Sequence, residues 1–232
     1  MDLITTKLGL EMLLRWGHFM AGVTWIGLLY YFNFVQTEYF KEADAASKSD
    51  AIQKLVPKAL WWFRWGAMFT LITGLGIFAI RGGGISMDIY VGALLGLFMF
   101  LNVWLIIWPN QQIVMASVKQ VADGKEALPE AADALATAGL ASRTNTLFSI
   151  PMLFFMGASA HYPHSFSLLA FLLAVVLIVA LEFNGAYPTI KHIDAVKKLP
   201  AAGNMKPYAS VNGVIYCGLG LTVILFLILD LL

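Results

Sequence analysis

Four ionisable residues, His18, His161, Arg15 and Arg81, lie in or at the ends of strongly apolar runs. An ionisable side chain inside such a run is costly and by default marks a function with a partner to be named. His18 lies six residues into the run that begins at Met12, roughly 9 Å along a helix. Gly22 follows one turn later on the same face, where a missing side chain lets a flat ligand lie against the backbone. His161 belongs to GASAHYPH, with the small residues Gly157, Ala158 and Ala160 before it and His164 behind it. Two imidazoles facing each other across a helical bundle are what six-coordinate haem b requires, one nitrogen on each face of the iron. Arg15 and Arg81 are placed to pair with its propionates. The expected ligands are thus His18 and His161, with His164 as an alternative, while His192 reads as solvated. Methionines such as Met20, Met152 and Met156 read as packing, Met156 being the thioether to check as an axial ligand.

A second polar group gathers at the opposite ends of the runs. Arg64 lies in WWFRWGA, Asn110 and Gln111 in WPNQQ, Arg143 and Asn145 in RTN, and Glu182 and Asn184 in LEFNG, while Asn33 closes the first run. One reading is structural, with Arg64 and Glu182 neutralising each other and the amides capping helix ends. The other is a polar pocket. Guanidinium and carboxamide groups suit a small, planar, hydrogen-bonding molecule or a quinone head, so Arg64, Asn110, Gln111, Arg143, Asn145 and Glu182 are the candidate substrate residues. No residue grouping points to covalent catalysis, and no cluster of histidines and carboxylates points to a non-haem metal.

The elements that must carry these residues follow from composition. With 59% hydrophobic and only 12% charged residues, the 232-residue chain lacks the polar coat of a soluble domain, which is roughly a quarter charged. It belongs in a lipid bilayer, as a single all-α, polytopic membrane helix bundle. A spanning helix needs about 20 mostly apolar residues, and six stretches qualify: about 12–34, 59–80, 88–108, 146–160, 166–187 and 209–229. Two polar stretches read as short helices outside the spans, 38–57 and one starting near Glu130. The loops after the first, third and fifth spans carry Lys41, Lys48, Lys54, Lys58, Lys119, Lys125, Arg143, Lys191, Lys197, Lys198 and Lys206. By the positive-inside rule both termini are then periplasmic, in a bacterial inner membrane. A net charge of +1 offers no basic excess for nucleic acid. The single cysteine, Cys217, excludes an internal disulfide, a multi-cysteine zinc site, an iron–sulfur cluster and a c-type haem, which needs C-x-x-C-H.

The segments LRWGHFMAGVTWIGLLYYFNFVQ, WWFRWGA, IIWPNQQ and SRTNTLFSIPMLFFMGASAHYP, in that order over 12–164, resemble the membrane domain of the bacterial membrane-bound urate hydroxylases, the urate oxidase N-terminal domain family. The resemblance implies oxidation of urate to 5-hydroxyisourate, with electrons passed to a c-type cytochrome or the respiratory chain. In the fused family members a C-terminal cytochrome c domain receives them, and this sequence carries no C-x-x-C-H. The first run also resembles the histidine-bearing helix of the membrane protoporphyrinogen oxidase family, which is associated with haem b. Two alternatives stand beside the enzyme reading: a stand-alone cytochrome b electron-transfer subunit, and a non-redox membrane protein with structural histidines. A homo-oligomer is compatible with all three.

Overall fold

The computed structural model describes residues 2–232, and every regular element among them is helical. A single turn, α1 (Asp2–Thr5), leads into α2 (Lys7–Tyr30), which starts where Thr6 Oγ1 accepts a hydrogen bond from Gly9 N at 3.1 Å. Instead of stopping at Tyr30, the helix widens into a π segment, Tyr31–Gln36, before α3 (Thr37–Glu42). The widening has a local cause. Thr37 directs both its backbone N–H and its hydroxyl to Phe32 O, the latter at 2.7 Å, an i to i−5 pairing that holds the turn at π width. α4 (Ala45–Lys54) is capped by Asp44 Oδ1, which accepts from Ala46 N and Ser47 N at 2.9 Å each. α5 (Val56–Arg81) has Pro57 in its first turn, at a position whose N–H has no helical partner anyway.

α6 (Met87–Leu101), a second π segment (Asn102–Ile107) and α7 (Trp108–Ala122) form one continuous helix of 36 residues. Pro109 accounts for the second wide turn, because it lacks an N–H and its ring displaces the carbonyl four residues earlier, that of Leu105. Next to that gap Asn110 Nδ2 donates to Ile106 O at 2.8 Å. At 1.5 Å per residue the helix is about 54 Å long against about 30 Å of hydrocarbon, so part of it extends beyond the apolar layer of a membrane. α8 (Ala131–His161), α9 (Leu168–Ile190), a 3₁₀ turn at Val196–Lys198 and α10 (Val211–Leu231) complete the chain.

α8 is the central helix, packed on α6, α7, α9 and α10, while α2 and α5 form an antiparallel pair set against α6 and α8. Small residues permit the closest approaches. A Cβ on Gly66 of α5 would stand 3.1 Å from Trp25 N of α2, and one on Gly185 of α9 would stand 2.5 Å from Thr144 Oγ1 of α8.

The all-α bundle agrees with the sequence reading, and four helices are long and apolar enough to cross a membrane: Val56–Arg81, Met87–Ala122, Leu168–Ile190 and Val211–Leu231. The other two expected spans, 12–34 and 146–160, fall in α2 and α8, which carry more polar residues. In α8 these are sheltered by protein: every residue from Arg143 to Ser149 is buried, so this helix need not be apolar all round. The helix expected to begin near Glu130 does begin there, and it runs on without a break through the fourth expected span, since Ala131–His161 is a single 31-residue helix. Pro151 lies inside it without breaking it, and Gly218 of α10 packs close to the Leu147 carbonyl that the proline leaves free.

Candidate functional site

Two cavities divide the candidate residues. The larger, about 660 Å³, is bounded by the α2–α3 junction, α4, α5, α7 and α8. Its polar wall consists of Asn33, Gln36, Gln111, Ser142 and Arg143. Asn33 is held rigidly, its Nδ2 donating to Leu29 O at 2.9 Å and Ser142 Oγ at 2.8 Å. Arg143 is only 8% exposed, yet its Nη1 is buried without a hydrogen-bond partner, and so is Gln36 Oε1. A buried orphan costs about 1–3 kcal/mol and more when charged, so a cationic donor and a neutral acceptor, on two residues that line one cavity, hold unused hydrogen-bonding capacity. Lys41 and Lys48 also line it, Lys41 paired with Glu38 at 2.7 Å and Lys48 lying over the Phe40 ring. Three cationic side chains thus line the cavity, with Glu38 near two of them, Lys41 and Arg143, and its apolar walls, Phe63 and Ile107 among them, suit a flat ligand.

Of the six substrate residues expected from the sequence, Gln111 and Arg143 meet in this cavity. The other four lie elsewhere. Arg64 lies over Trp108, its guanidinium carbon 3.4 Å from the ring centroid, and faces Trp104 at 5.3 Å. The stack is worth about 0.5–2 kcal/mol and replaces the expected Arg64–Glu182 ion pair, which is absent. Asn110 is spent on its own helix at Ile106 O. Asn145 and Glu182 belong to a separate buried network through Asn102, whose Nδ2 donates to Asn145 Oδ1 at 2.9 Å and Glu182 Oε2 at 3.0 Å. Gln36 and Asn102 are the residues the sequence reading missed. Gln36 lies three residues after Asn33, a helical spacing that could have flagged it; nothing local marked Asn102.

The smaller cavity, about 380 Å³, is almost wholly apolar and lies between α2 and α5 on one side and α6, α8 and α9 on the other. His18 is its principal polar group. Thr73 Oγ1 gives its own hydrogen to Phe69 O at 2.6 Å or Thr70 O at 3.1 Å. It therefore accepts from His18 Nδ1 at 3.1 Å. That bond fixes the tautomer and leaves Nε2 with a free electron pair, the state in which a histidine binds a metal with a second-shell support. Gly74 makes room for the ring, since a Cβ there would stand 3.3 Å from His18 Cε1. Met152 and Met156 of α8 line the same cavity.

The fit to haem is consequently one-sided. His18 suits an axial position, but the expected opposing imidazole is not in the cavity: His161 is exposed at the last position of α8 and does not line it. His164 is engaged elsewhere. Asp88 accepts from His164 N and pairs with its Nδ1, both at 2.8 Å, while Nε2 faces Asp230 Oδ1 at 3.7 Å. The donors on the far wall are thioethers. Arg15 and Arg81 do come together as expected for propionate partners, but around Glu11, whose Oε1 takes each at 2.8 Å. Among the described residues no group of three or more His, Cys, Asp or Glu side chains could hold a metal ion by itself.

The fold and site define an all-α protein with membrane-length helices and a cationic, half-apolar cavity. Its residues 84–211, more than half of the chain, match the urate oxidase N-terminal family. The chain belongs to that family. Gln111, Arg143 and Glu182 lie inside the matched segment; His18, Gln36 and Arg64 precede it. Neither curated proteins nor solved structures gave a match.

Proposed function

We propose that the chain is the membrane domain of a urate-oxidising enzyme and that the purine anion binds at Arg143. The observation that carries this reading is the buried, unpartnered Arg143 Nη1 in a cavity shared with Gln36 and Gln111, in a member of this family. Urate is planar and anionic at neutral pH, with carbonyl oxygens and ring N–H groups along its edges. The guanidinium of Arg143 supplies a planar pair of donors to one edge, Gln36 Oε1 accepts from a ring N–H, and Gln111 can donate or accept. The aromatic and aliphatic walls cover the faces and exclude water. Overall, urate and water give 5-hydroxyisourate, two protons and two electrons, the electrons passing to a c-type cytochrome or another acceptor of the respiratory chain.

Haem b, if held by His18 with Met152 or Met156, would supply one-electron storage. Thr73 orients the imidazole for it. In this reading the protein lies in a bacterial inner membrane with both termini periplasmic, as the distribution of lysines and arginines supports. The test is equilibrium binding of urate to the purified chain and to Arg143→Ala, beside reduction of an added cytochrome c. Saturable binding lost in the variant supports the reading; a wild type that ignores urate in both assays removes it. A second reading, an electron-transfer subunit taking electrons from a quinol, is favoured by the apolar cleft at His18 and predicts reduction by a quinol with no urate binding.

A further inference from the structure

Glu182 is used by neither cavity, yet it is a carboxyl group only 8% exposed between membrane-length helices. One neutral hydrogen bond reaches it, and two more anchor the donor. Asn102 Nδ2 of the second π segment donates to Glu182 Oε2 at 3.0 Å and to Asn145 Oδ1 at 2.9 Å, and Asn145 Nδ2 donates to Met99 O at 2.9 Å. Among the described residues no lysine, arginine or histidine forms an ion pair with Glu182. The two nearest candidates in sequence pattern are held elsewhere. Arg64 is stacked on Trp108. Arg143 stands two residues before Asn145 on α8, about 200° around the helix, so its guanidinium lines the large cavity while Asn145 faces Glu182. From α8 the remaining neighbour is Thr144, packed against Gly185. From the segment before α10 it is Tyr208, only 4% exposed, with Cys217 of α10 beyond it. Burial pushes the Tyr208 phenol up, and neither group carries positive charge.

One amide donor does not offset the desolvation of a carboxylate in such surroundings, whereas a carboxylic acid fits them without a counter-charge. Water is close. Asn184 lies two residues further along α9, about 3 Å along the axis, and its side chain ties down the partly exposed loop before α10: Oδ1 accepts from Gly203 N at 3.1 Å and Asn204 N at 2.9 Å.

We propose that Glu182 is a proton-loading site, held as the neutral acid by burial without a counter-charge, oriented by Asn102, and exchanging its proton with water at the Asn184–Tyr208 end of α9. The acid–base chemistry is independent of any substrate; its use, releasing its proton to water and replacing it with one of the two that urate oxidation releases, rests on the function proposed above.

The test treats the full chain in lipid with dicyclohexylcarbodiimide, which reacts with protonated carboxyls in apolar surroundings. The acid adds across the N=C=N group, its proton passing to nitrogen, and the adduct rearranges to a stable N-acylurea. Peptide mass analysis should find the label on Glu182, declining as pH is raised and absent from Glu182→Gln. Infrared spectra of the untreated wild type should show a protonated-carboxyl C=O band that shifts in D₂O and is missing from the variant. A wild type unlabelled at Glu182 at neutral and acidic pH overturns the proposal, and so does a carboxyl band indifferent to D₂O. Neither needs the variant to fold. Labelling in a protein that ignores urate upholds the proton site and removes the urate reading; urate turnover without labelling or an exchangeable band does the reverse.

Discussion

The two cavities differ in how they treat their polar groups. In the large one the polar atoms are numerous and some lack partners: Arg143 Nη1 and Gln36 Oε1 are buried orphans beside a well-anchored Asn33. In the small one a single polar ring, His18, is fully oriented from behind by Thr73 and otherwise surrounded by apolar side chains. The first arrangement leaves hydrogen-bonding capacity for a polar ligand that comes and goes. The second keeps one lone pair in a fixed direction, as a permanently bound group requires. In the proposed function this contrast assigns recognition to the Arg143 end and electron storage to the His18 end.

The contrast breaks most completely at His18. His18→Ala should abolish a low-spin haem spectrum in the purified protein while urate affinity stays within a factor of two, and a variant that retains the full spectrum ends the haem assignment to this cleft. Removing the second-shell partner is milder: Thr73→Val should lower haem retention about 10- to 100-fold, measured by transfer to apomyoglobin. At the other cavity, Arg143→Ala should weaken urate binding by roughly ten- to a hundred-fold, since a hydrogen bond to a charged group is worth about 1.5–3 kcal/mol. Arg143→Lys should recover only part of it, because an ammonium cannot reproduce the planar fork.

Smaller effects sharpen the boundary between the cavities. Gln36→Ala and Gln111→Ala should each cost about 0.5–1.5 kcal/mol, a two- to ten-fold loss of urate affinity with the haem spectrum unchanged. Arg64→Leu should leave affinity intact and lower thermal stability slightly, by the roughly 0.5–2 kcal/mol of its stack on Trp108. Equal affinity losses in the Arg64 and Arg143 variants would mean that the large cavity extends to Trp108 when occupied.

Composition and hydropathy by themselves determined that this chain is a bundle of long apolar helices. The Glu11–Arg81 and Asp88–His164 pairs, which the sequence reading did not name, join helix ends that it had placed on one side of the membrane. Residue type and depth picked out Arg143 and Gln111, which share a cavity, together with Arg64, Asn110, Asn145 and Glu182, which do not line it. Which residues share a wall was decided by tertiary structure. Each residue inserted at a π turn rotates everything beyond it by about 100°, and turns of this kind at Tyr31–Gln36 and Asn102–Ile107 set the faces of Gln36, Asn110 and Gln111. Two residues of spacing separate Arg143 from Asn145 on α8, and the crossing helices then send one to the cavity and the other to Glu182. His161 and His164 resemble ligands in sequence, but their surroundings depend on where α8 ends and α9 begins. A linear pattern records distance along a helix; the direction a side chain faces depends on every turn before it and on the neighbours it packs against.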